Sequence, residues 1–130
     1  MQKPQFDSLD QDQLDQEVLF QIKQHVGRKN PIGRWEMVAK IYGPAACFPD
    51  NDNNLYDRRI RDSVSRLRRR GALICDMGDG AGRYMAETAE EYQAFRQKYG
   101  SRAYEVLETL REMDKAAEKE FKNALQPRLI

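Results

Sequence analysis

Residues 56–71 read YDRRIRDSVSRLRRRG and contain seven arginines against two aspartates. Within this stretch Ile60, Val64 and Leu67 recur at intervals of four and three residues, which predicts an amphipathic helix with a narrow apolar face. Gly71 follows at a position where helices commonly end. The stretch therefore predicts a helix that packs its apolar side on a core and turns most of its arginines toward solvent.

Two more helices are predicted before the arginine-rich one. Apolar residues at helical spacing indicate the first over about residues 14–26 and the second over about residues 34–42. Residues 44–54 hold two prolines and a cluster of Asp and Asn, which predicts a loop. Either Asn53 or Asn54 can cap the arginine-rich helix, because a short polar side chain satisfies free N–H groups there.

After the arginine-rich helix, the apolar residues no longer recur at helical spacing. Residues 72–75 and 83–86 are short and largely apolar, and the glycine-rich sequence MGDGAG lies between them at residues 77–82. A strand, a glycine turn and a second strand predict a β-hairpin. A phosphate-binding glycine loop would instead lead from a strand into a helix, so a hairpin tip is the favoured interpretation.

Two helices are predicted after the hairpin, over residues 88–99 and 101–125. Thr88 and Glu91 have the spacing of a capping box at the start of the first. The second would be roughly 37 Å long, which exceeds what a small domain needs for its own core. Its apolar stripe is expected to pack on the domain or, preferentially, on a second copy of the chain. The proposed homodimer contacts are Leu107, Leu110, Met113, Ala117 and Phe121.

The charge distribution points to one basic face on a nearly neutral protein. The net charge is +1, yet residues 1–27 carry two basic and five acidic side chains, while residues 57–70 carry seven basic and two acidic ones. The simplest explanation of these arginines is a solvated helix face, stabilised by Asp62 pairing with Arg58 or Arg66. Two features favour an anionic partner instead: the mutual repulsion is largely uncompensated, and every cation is Arg, which suits bidentate contacts to phosphate and guanine.

Several other function classes lack support in the sequence. Cys47 and Cys75 do not form a disulfide framework, Cys75 is expected to be buried, and His25 is the only histidine. No metal, nucleotide or nucleophile constellation is apparent, so we expect no enzymatic activity, no cofactor and no small-molecule ligand. No apolar run approaches the ~20 residues that cross a bilayer, and the polar N-terminus is unlike a secretory signal, so we expect a cytoplasmic protein without a membrane partner.

The order of predicted elements is that of a winged helix-turn-helix, in which the third helix enters the DNA major groove and the hairpin touches the flanking backbone. The run RRIRDSVSRLRRRGALICDMGDGAGRYMAET resembles the winged-helix DNA-binding proteins of phages and prophages, and YGSRAYEVLETLREMDKA is similar to their C-terminal helix. A more distant resemblance is to the DNA-binding domain of biotin-ligase repressors. The matching positions are Ile60, Val64, Leu67, Gly71, Ile74, Cys75, Gly82, Tyr84, Ala86 and Glu87. One departure is the loop at residues 44–54, where the family has a tight turn.

We therefore predict a mainly α fold with a small β-hairpin, a winged helix-turn-helix followed by a long C-terminal helix. Residues 1–12 would form a flexible acidic arm, residues 13–87 the winged-helix domain, and residues 88–126 a C-terminal helical extension. The resemblance implies sequence- or structure-selective binding of double-stranded DNA by a regulatory or replication-associated protein in the cytoplasm of a bacterial host cell. The alternative is a protein-interaction module that binds an acidic partner.

The predicted DNA contacts are base-reading candidates in the first turns of the arginine-rich helix and phosphate contacts elsewhere. They are Tyr56, Arg58, Arg59, Arg61, Asp62, Ser63, Arg66, Arg69, Arg70, Arg83, Lys29 and Arg34, with Arg68 as a further phosphate contact. Three alternatives stay open. Tyr56 could equally pack in the core, Arg83 could pair across the hairpin with Asp76, and Lys29 and Arg34 could serve solubility alone.

Overall fold

The computed structural model describes residues 9–78, residue 80 and residues 82–122 of the chain. The described part is mainly helical, with a small antiparallel hairpin and a long C-terminal helix, as the sequence predicts at this coarse level. By its internal contacts the chain divides into two units, Met1–Phe95 and Arg96–Ile130. The elements in chain order are α1 (Gln11–Lys23), α2 (Arg34–Tyr42), a short 3-10 helix (Pro44–Cys47), α3 (Leu55–Arg69), β1 (Ile74–Asp76), β2 (Arg83–Met85) and α4 (Ala89–Phe121).

The core of the first unit lies where α1, α2, α3 and β1 meet. The predicted apolar face of α3 is confirmed, since Ile60, Val64 and Leu67 are all buried. The side chains that surround this face come from each neighbouring element and include Val18, Ile22, Met37, Val38, Ile41 and Ile74. Because one narrow face of α3 is fixed against this core, the opposite face is left outside.

Asn54 fixes the start of α3, which confirms one of the two predicted caps. Its side-chain oxygen accepts a hydrogen bond of 2.9 Å from the Asp57 N–H, as an N-cap residue does. Its side-chain nitrogen donates to the carbonyls of Ala46 and Pro49 at 2.8 and 3.0 Å. The segment predicted as a plain loop thus includes a 3-10 helix, Pro44–Cys47, and is tied to the first turn of α3.

The hairpin is held to the segment between α1 and α2. In the antiparallel register, Asp76 lies opposite Arg83. The Ile32 N–H donates to the Arg83 carbonyl at 2.8 Å, and the Arg83 N–H donates to the Ile32 carbonyl at 3.0 Å. Gly82 adopts a φ of 124°, and a Cβ at this position would collide with the Ile32 carbonyl. The close approach of the two backbones therefore requires glycine here.

The prediction of two helices after the hairpin is wrong, because α4 runs unbroken from Ala89 to Phe121. Gly100 does not interrupt it, since an interior glycine costs only about 1 kcal/mol relative to alanine and forces no change of direction. Ser101, the next residue, donates from its hydroxyl to the Gln97 carbonyl at 2.7 Å, a bond that the helical backbone accommodates. None of the described helices is long and apolar enough to cross a membrane.

The predicted capping box at the start of α4 is only half present. The Glu91 N–H donates to the Thr88 hydroxyl at 3.2 Å, which confirms Thr88 as a cap. The Glu91 carboxylate, however, accepts from the N–H groups of Arg28 at 2.9 Å and Glu87 at 2.8 Å. Those two backbone hydrogen bonds lower the pKa of Glu91. The carboxylate thereby links the start of α4 to the loop after α1.

Helix α1 begins and ends earlier than its apolar spacing predicts. Asp10 caps it, accepting from the Gln13 N–H at 2.8 Å while the Gln13 side chain accepts from the Asp10 N–H at 3.1 Å. The helix therefore starts inside the segment predicted as a flexible arm, of which residues 1–8 lie outside the described residues. Residues 123–126 of the predicted C-terminal extension also lie outside them. Val26 is beyond the helix and pairs with Met85 as an isolated bridge.

Candidate nucleic-acid interface

Helix α3 has an inner face, two flanks and an outer face, which follow from its turn of 3.6 residues. The inner face is the apolar one already described. One flank faces α1 and carries Arg66 and Arg70, which contact acidic residues of that helix. The other flank carries Arg61 and Arg68, which contact Asp57 in the first turn of α3 and Asp76 of β1. The outer face, defined by Arg58, Asp62, Ser65 and Arg69, is exposed along its whole length.

On the α1 flank, Asp15 binds two arginines and a serine of α3. Asp15 is only 2% exposed. Arg66 donates to both of its carboxylate oxygens, with Nε at 3.0 Å from Oδ2 and Nη2 at 2.8 Å from Oδ1. Ser63, which is fully buried, donates its hydroxyl to Oδ1, and Arg70 approaches Oδ2 at 3.3 Å. The carboxylate of α1 is therefore surrounded by donors from α3.

The charge state of Asp15 follows from two opposing effects. Burial by itself would raise its pKa, because the charged form loses hydration. The hydrogen bonds from Arg66 and Ser63, together with the positive charges of Arg66 and Arg70, outweigh burial and hold the pKa of Asp15 below its ordinary value. Asp15 also raises the pKa of the Arg66 guanidinium through the same hydrogen bonds. The pair is therefore fully ionised at neutral pH.

On the opposite flank, Asp57 accepts hydrogen bonds from two further arginines. It is 1% exposed, and its Oδ2 accepts from Arg34 Nη2 at 2.8 Å and from Arg61 Nε at 3.0 Å. Arg34 also donates to the Asp52 carboxylate at 2.7 Å, and Arg61 to the Asp52 carbonyl at 3.2 Å. The hydrogen bonds raise the pKa of Arg34 and lower that of Asp52. This network joins α2, the segment before α3 and the first turns of α3.

Beside the hairpin, Arg68 is directed inward along β1. Its Nε donates to the Ile74 carbonyl at 2.9 Å, and its Nη2 lies 3.1 Å from Asp76 Oδ2. The guanidinium also stacks over the Phe95 ring, 4.9 Å from its centroid. Arg83 lies opposite Asp76 in the strand register, the placement that the sequence left as an alternative to a phosphate contact, and is half-buried. Desolvation and the nearby charge of Arg68 lower the pKa of Arg83.

The outer face of α3 carries two arginines that could bind an anionic ligand. The side chains of Arg58 and Arg69 are exposed, and neither side chain forms a hydrogen bond or an ion pair with any residue that the structure describes. They lie eleven residues apart, which is roughly 16 Å along the helix axis. Asp62 and Ser65, both exposed, lie between them. Two guanidinium groups, with the Asp62 carboxylate and the Ser65 hydroxyl between them, can bind an extended anionic ligand.

Other predicted site residues occupy different surroundings. Tyr56 is half-buried, with its ring 4.8 Å from that of buried Tyr42, and the guanidinium of Arg59 lies 5.5 Å from the Tyr56 ring centroid. Both alternatives for Tyr56 thus keep structural support, since one side packs inward and the other meets Arg59. Lys29 is exposed in the loop after α1. Trp35 packs against the core, with the Arg34 guanidinium 4.7 Å from its ring centroid.

The acidic partners of the arginines are the main feature that sequence patterns do not reveal. The expectation of uncompensated repulsion along α3 is wrong for Arg61, Arg66 and Arg68, which meet Asp57, Asp15 and Asp76. The Asp57–Arg61 spacing of four residues is a usable local signal. The pairing of Asp15 with Arg66 spans 51 residues and leaves no local signal in the sequence.

Other chemical sites are lacking among the residues that the structure describes. No group of three or more His, Cys, Asp or Glu side chains there could hold a metal ion. Cys75 is buried, as predicted, and burial raises the pKa of its thiol to about 11. Cys47 is half-buried, and its Sγ donates to the Trp35 carbonyl at 3.4 Å. Burial also raises the pKa of the Cys47 thiol, which disfavours the nucleophilic thiolate in both cases.

Comparison with known proteins adds no relative to these observations. No family model, no curated protein and no solved structure matches this chain. The residues and the geometry of the two units are therefore the basis for assigning a function.

Proposed function

We propose that the first unit is a winged helix-turn-helix that binds double-stranded DNA through the outer face of α3. The observation that carries this proposal is the contrast between the flanks and the outer face. Arg61, Arg66 and Arg68 bind aspartates of the same chain, whereas Arg58 and Arg69 are exposed and have no such partner among the described residues. The outer face is thus a positively charged surface on a firmly held helix.

The arrangement of elements supports the winged form of the fold. Three helices precede a hairpin, and the hairpin is bound through β2 to Ile32, between α1 and α2. α3 packs its inner face against both α1 and α2, so the outer face points away from the core. In DNA-binding proteins of this kind the corresponding helix lies in the major groove.

The dimensions and chemistry of the outer face fit a duplex. The roughly 16 Å between Arg58 and Arg69 exceeds the about 12 Å width of the major groove, so the two side chains can reach phosphates on both of its sides. Arginine binds phosphate or guanine with two parallel hydrogen bonds. Between them, Asp62 can accept from a cytosine amino group and Ser65 can donate or accept.

The residues on the flanks have a different part in this proposal. Arg61, Arg66, Arg68 and Arg70 hold α3 in place through their aspartate partners. Buried Ser63 contributes through Asp15 rather than through DNA. A regulatory or replication-associated role in a phage or prophage, inside a bacterial cell, is proposed from the resemblance of residues 58–88.

Titration of random duplex DNA over a range of salt concentrations tests the proposal. The native chain should bind at low salt, and the double variant Arg58→Ala/Arg69→Ala should bind more weakly, with a salt slope reduced by about 2 because two phosphate contacts are lost. The matched control is Arg102→Ala/Lys119→Ala, which removes the same charge from exposed positions of α4. The proposal fails if the native chain does not bind at low salt, or if both variants bind alike.

A protein-interaction module is the second candidate, and one observation favours it. Phe48, in the segment before α3, and Leu55, the first residue of α3, are 73% and 51% exposed. An acidic peptide with an apolar side chain could contact both features. If the native chain shows no affinity for DNA at low salt, this second function becomes the better one, and Phe48→Ala should then reduce peptide binding as much as Arg58→Ala does.

A further inference from the structure

The second unit carries apolar side chains that are largely exposed to solvent. Between Arg96 and Lys122 no residue is buried, and Tyr99, Val106 and Met113 are each more than half exposed. In proteins, most of the stability of an amphipathic helix comes from packing of its apolar face. Such a face on a charged helix therefore indicates a partner of matching shape.

Six apolar residues of the second unit, most of them exposed, form a regular seam. From Tyr99 they alternate at intervals of four and three residues, which is the spacing of a coiled-coil interface. We define the seam as Tyr99, Ala103, Val106, Leu110, Met113 and Ala117. The ion pairs Glu108–Arg111 and Glu112–Lys115 lie outside it. Asp114 also lies beside the seam rather than in it, and Leu107 and Phe121 border it, so charged groups are kept out of the line of contact.

We propose that this seam binds the same seam of a second copy of the chain, with the two helices antiparallel and centred between Val106 and Leu110. This centring pairs every large seam residue with a small or medium one. Tyr99 meets the partner's Ala117, Ala103 meets the partner's Met113, and Val106 meets the partner's Leu110. Large residues opposite small ones interdigitate and fill the space between helices.

Charge complementarity supports the same orientation. Continuing the seam by one step at each end brings in Arg96 and Glu120. In the antiparallel pairing Arg96 lies opposite the partner's Glu120, so each end of the interface gains an opposite-charge pair. A parallel pairing would put Arg96 against the partner's Arg96 and Glu120 against the partner's Glu120. It would also place alanine opposite alanine at two steps, which leaves gaps.

The proposal needs no residue of α3, so it stands or falls separately from DNA binding. Its first test is the concentration dependence of the molecular mass of the full chain, by analytical ultracentrifugation. The native chain should dimerise at or below about 100 µM, and Leu110→Asp should weaken dimerisation on the order of 100-fold, because it buries an unpaired charge. Tyr104→Asp is the matched control, since Tyr104 is 61% exposed on the face away from the seam.

A helix that lost its structure would also lose dimerisation, so the helical content of both variants is compared by circular dichroism. Leu110 is 41% exposed and lies outside the core of the first unit, so Leu110→Asp should leave that core intact. The proposal is overturned if the native chain is monomeric throughout, or if Leu110→Asp and Tyr104→Asp dimerise equally well.

Orientation is tested by exchanging the end charges. Arg96→Glu and Glu120→Arg should each weaken an antiparallel dimer, and the double variant should restore it, because the opposite-charge pairs are re-formed. As a second readout, Ala103→Cys/Met113→Cys in a Cys47→Ser background should form an interchain disulfide, while either single cysteine should not. Efficient cross-linking by Ala103→Cys alone, or no rescue by the double charge exchange, would exclude the antiparallel arrangement.

Discussion

Arg66 of α3 and Asp15 of α1 form a two-pronged ion pair, with nitrogen–oxygen distances of 2.8 and 3.0 Å. The carboxylate is almost completely buried, and the guanidinium keeps 21% of its side chain exposed. A buried pair of this kind contributes little net stability compared with an apolar pair, but removal of one partner leaves the other charge uncompensated. The pair therefore fixes how α3 is placed against α1.

Replacing Asp15 with Asn should destabilise the protein markedly. The variant would leave the Arg66 guanidinium without its carboxylate, and we expect a loss of about 3 kcal/mol in the free energy of unfolding. Urea denaturation followed by circular dichroism measures this. Asp12→Asn is the control, because Asp12 is 86% exposed and 4.0 Å from Arg70, so its loss should be far smaller. Equal effects of the two variants would contradict a structural role for Asp15.

Acid should remove the contribution of Asp15. Its pKa in the folded state is lowered, so its stabilisation is complete above the ordinary aspartate pKa of about 3.9 and disappears as the pH falls through the lower folded value. The difference in unfolding free energy between the native chain and Asp15→Asn should therefore be constant above about pH 5 and shrink toward pH 3. Urea denaturation at several pH values measures that difference. A difference that widens on acidification would mean that the pKa of Asp15 is raised by folding.

Substitution of one arginine of α3 should lower stability, and substitution of another should weaken DNA binding without lowering stability. Arg66→Ala should lower the melting temperature, because it strands a buried carboxylate. Arg58→Ala should leave the melting temperature nearly unchanged, since Arg58 is exposed and has no ion pair with the described residues. On the proposed function, Arg58→Ala should weaken DNA binding at equal folding. A thermal melt and a DNA titration of both variants, in one buffer, check the two expectations together.

Gly82→Ala should destabilise the hairpin. Its φ of 124° disfavours any residue with a Cβ, and the added methyl group would collide with the Ile32 carbonyl. We expect a loss of about 2 kcal/mol or more in the free energy of unfolding. Slower exchange of the Ile32 and Arg83 amide protons in the native chain than in the variant would show that the pairing between them is the part that is lost. A neutral Gly82→Ala variant would be inconsistent with this close approach.

Gly100→Ala should have the opposite effect. Apart from the neighbouring residues and the backbone of its own helix, no described atom lies within 4 Å of the place that a Cβ would take at Gly100, and its backbone is helical. Alanine is favoured over glycine inside a helix by about 1 kcal/mol, so the helical content of α4 should rise. Circular dichroism at low temperature and during melting measures this. A fall in helicity would indicate that Gly100 is needed for a bend or a contact.

Local sequence patterns are sufficient to predict the elements whose own residues show a helical spacing or a turn. The inner face of α3 follows from Ile60, Val64 and Leu67, and the hairpin follows from the glycine-rich turn between short apolar segments. The continuity of α4 does not follow in this way, because Gly100 resembles a break although its cost is small compared with the helix on either side. The 3-10 helix before α3 is equally hidden, because Pro44 and its neighbours have the composition of a loop.

Long-range pairing limits prediction of the candidate site. The composition of residues 57–70 indicates how much positive charge α3 carries, but not which arginines are neutralised. That depends on Asp15 and Asp76, whose positions opposite Arg66 and Arg68 are set by the packing of whole elements. The outer pair, Arg58 and Arg69, emerges only after the flanking pairs are known.

The four residues on the outer face of α3 can be substituted without disturbing the contacts that hold the helix. The inner face and the two aspartate-bound flanks hold the helix, so residues 58, 62, 65 and 69 are free to vary at little cost to folding. A library randomised at these four positions should yield mostly folded proteins. On the proposed function, its members should differ in their preference for DNA, because the surface that meets the ligand can change without extra stability elsewhere.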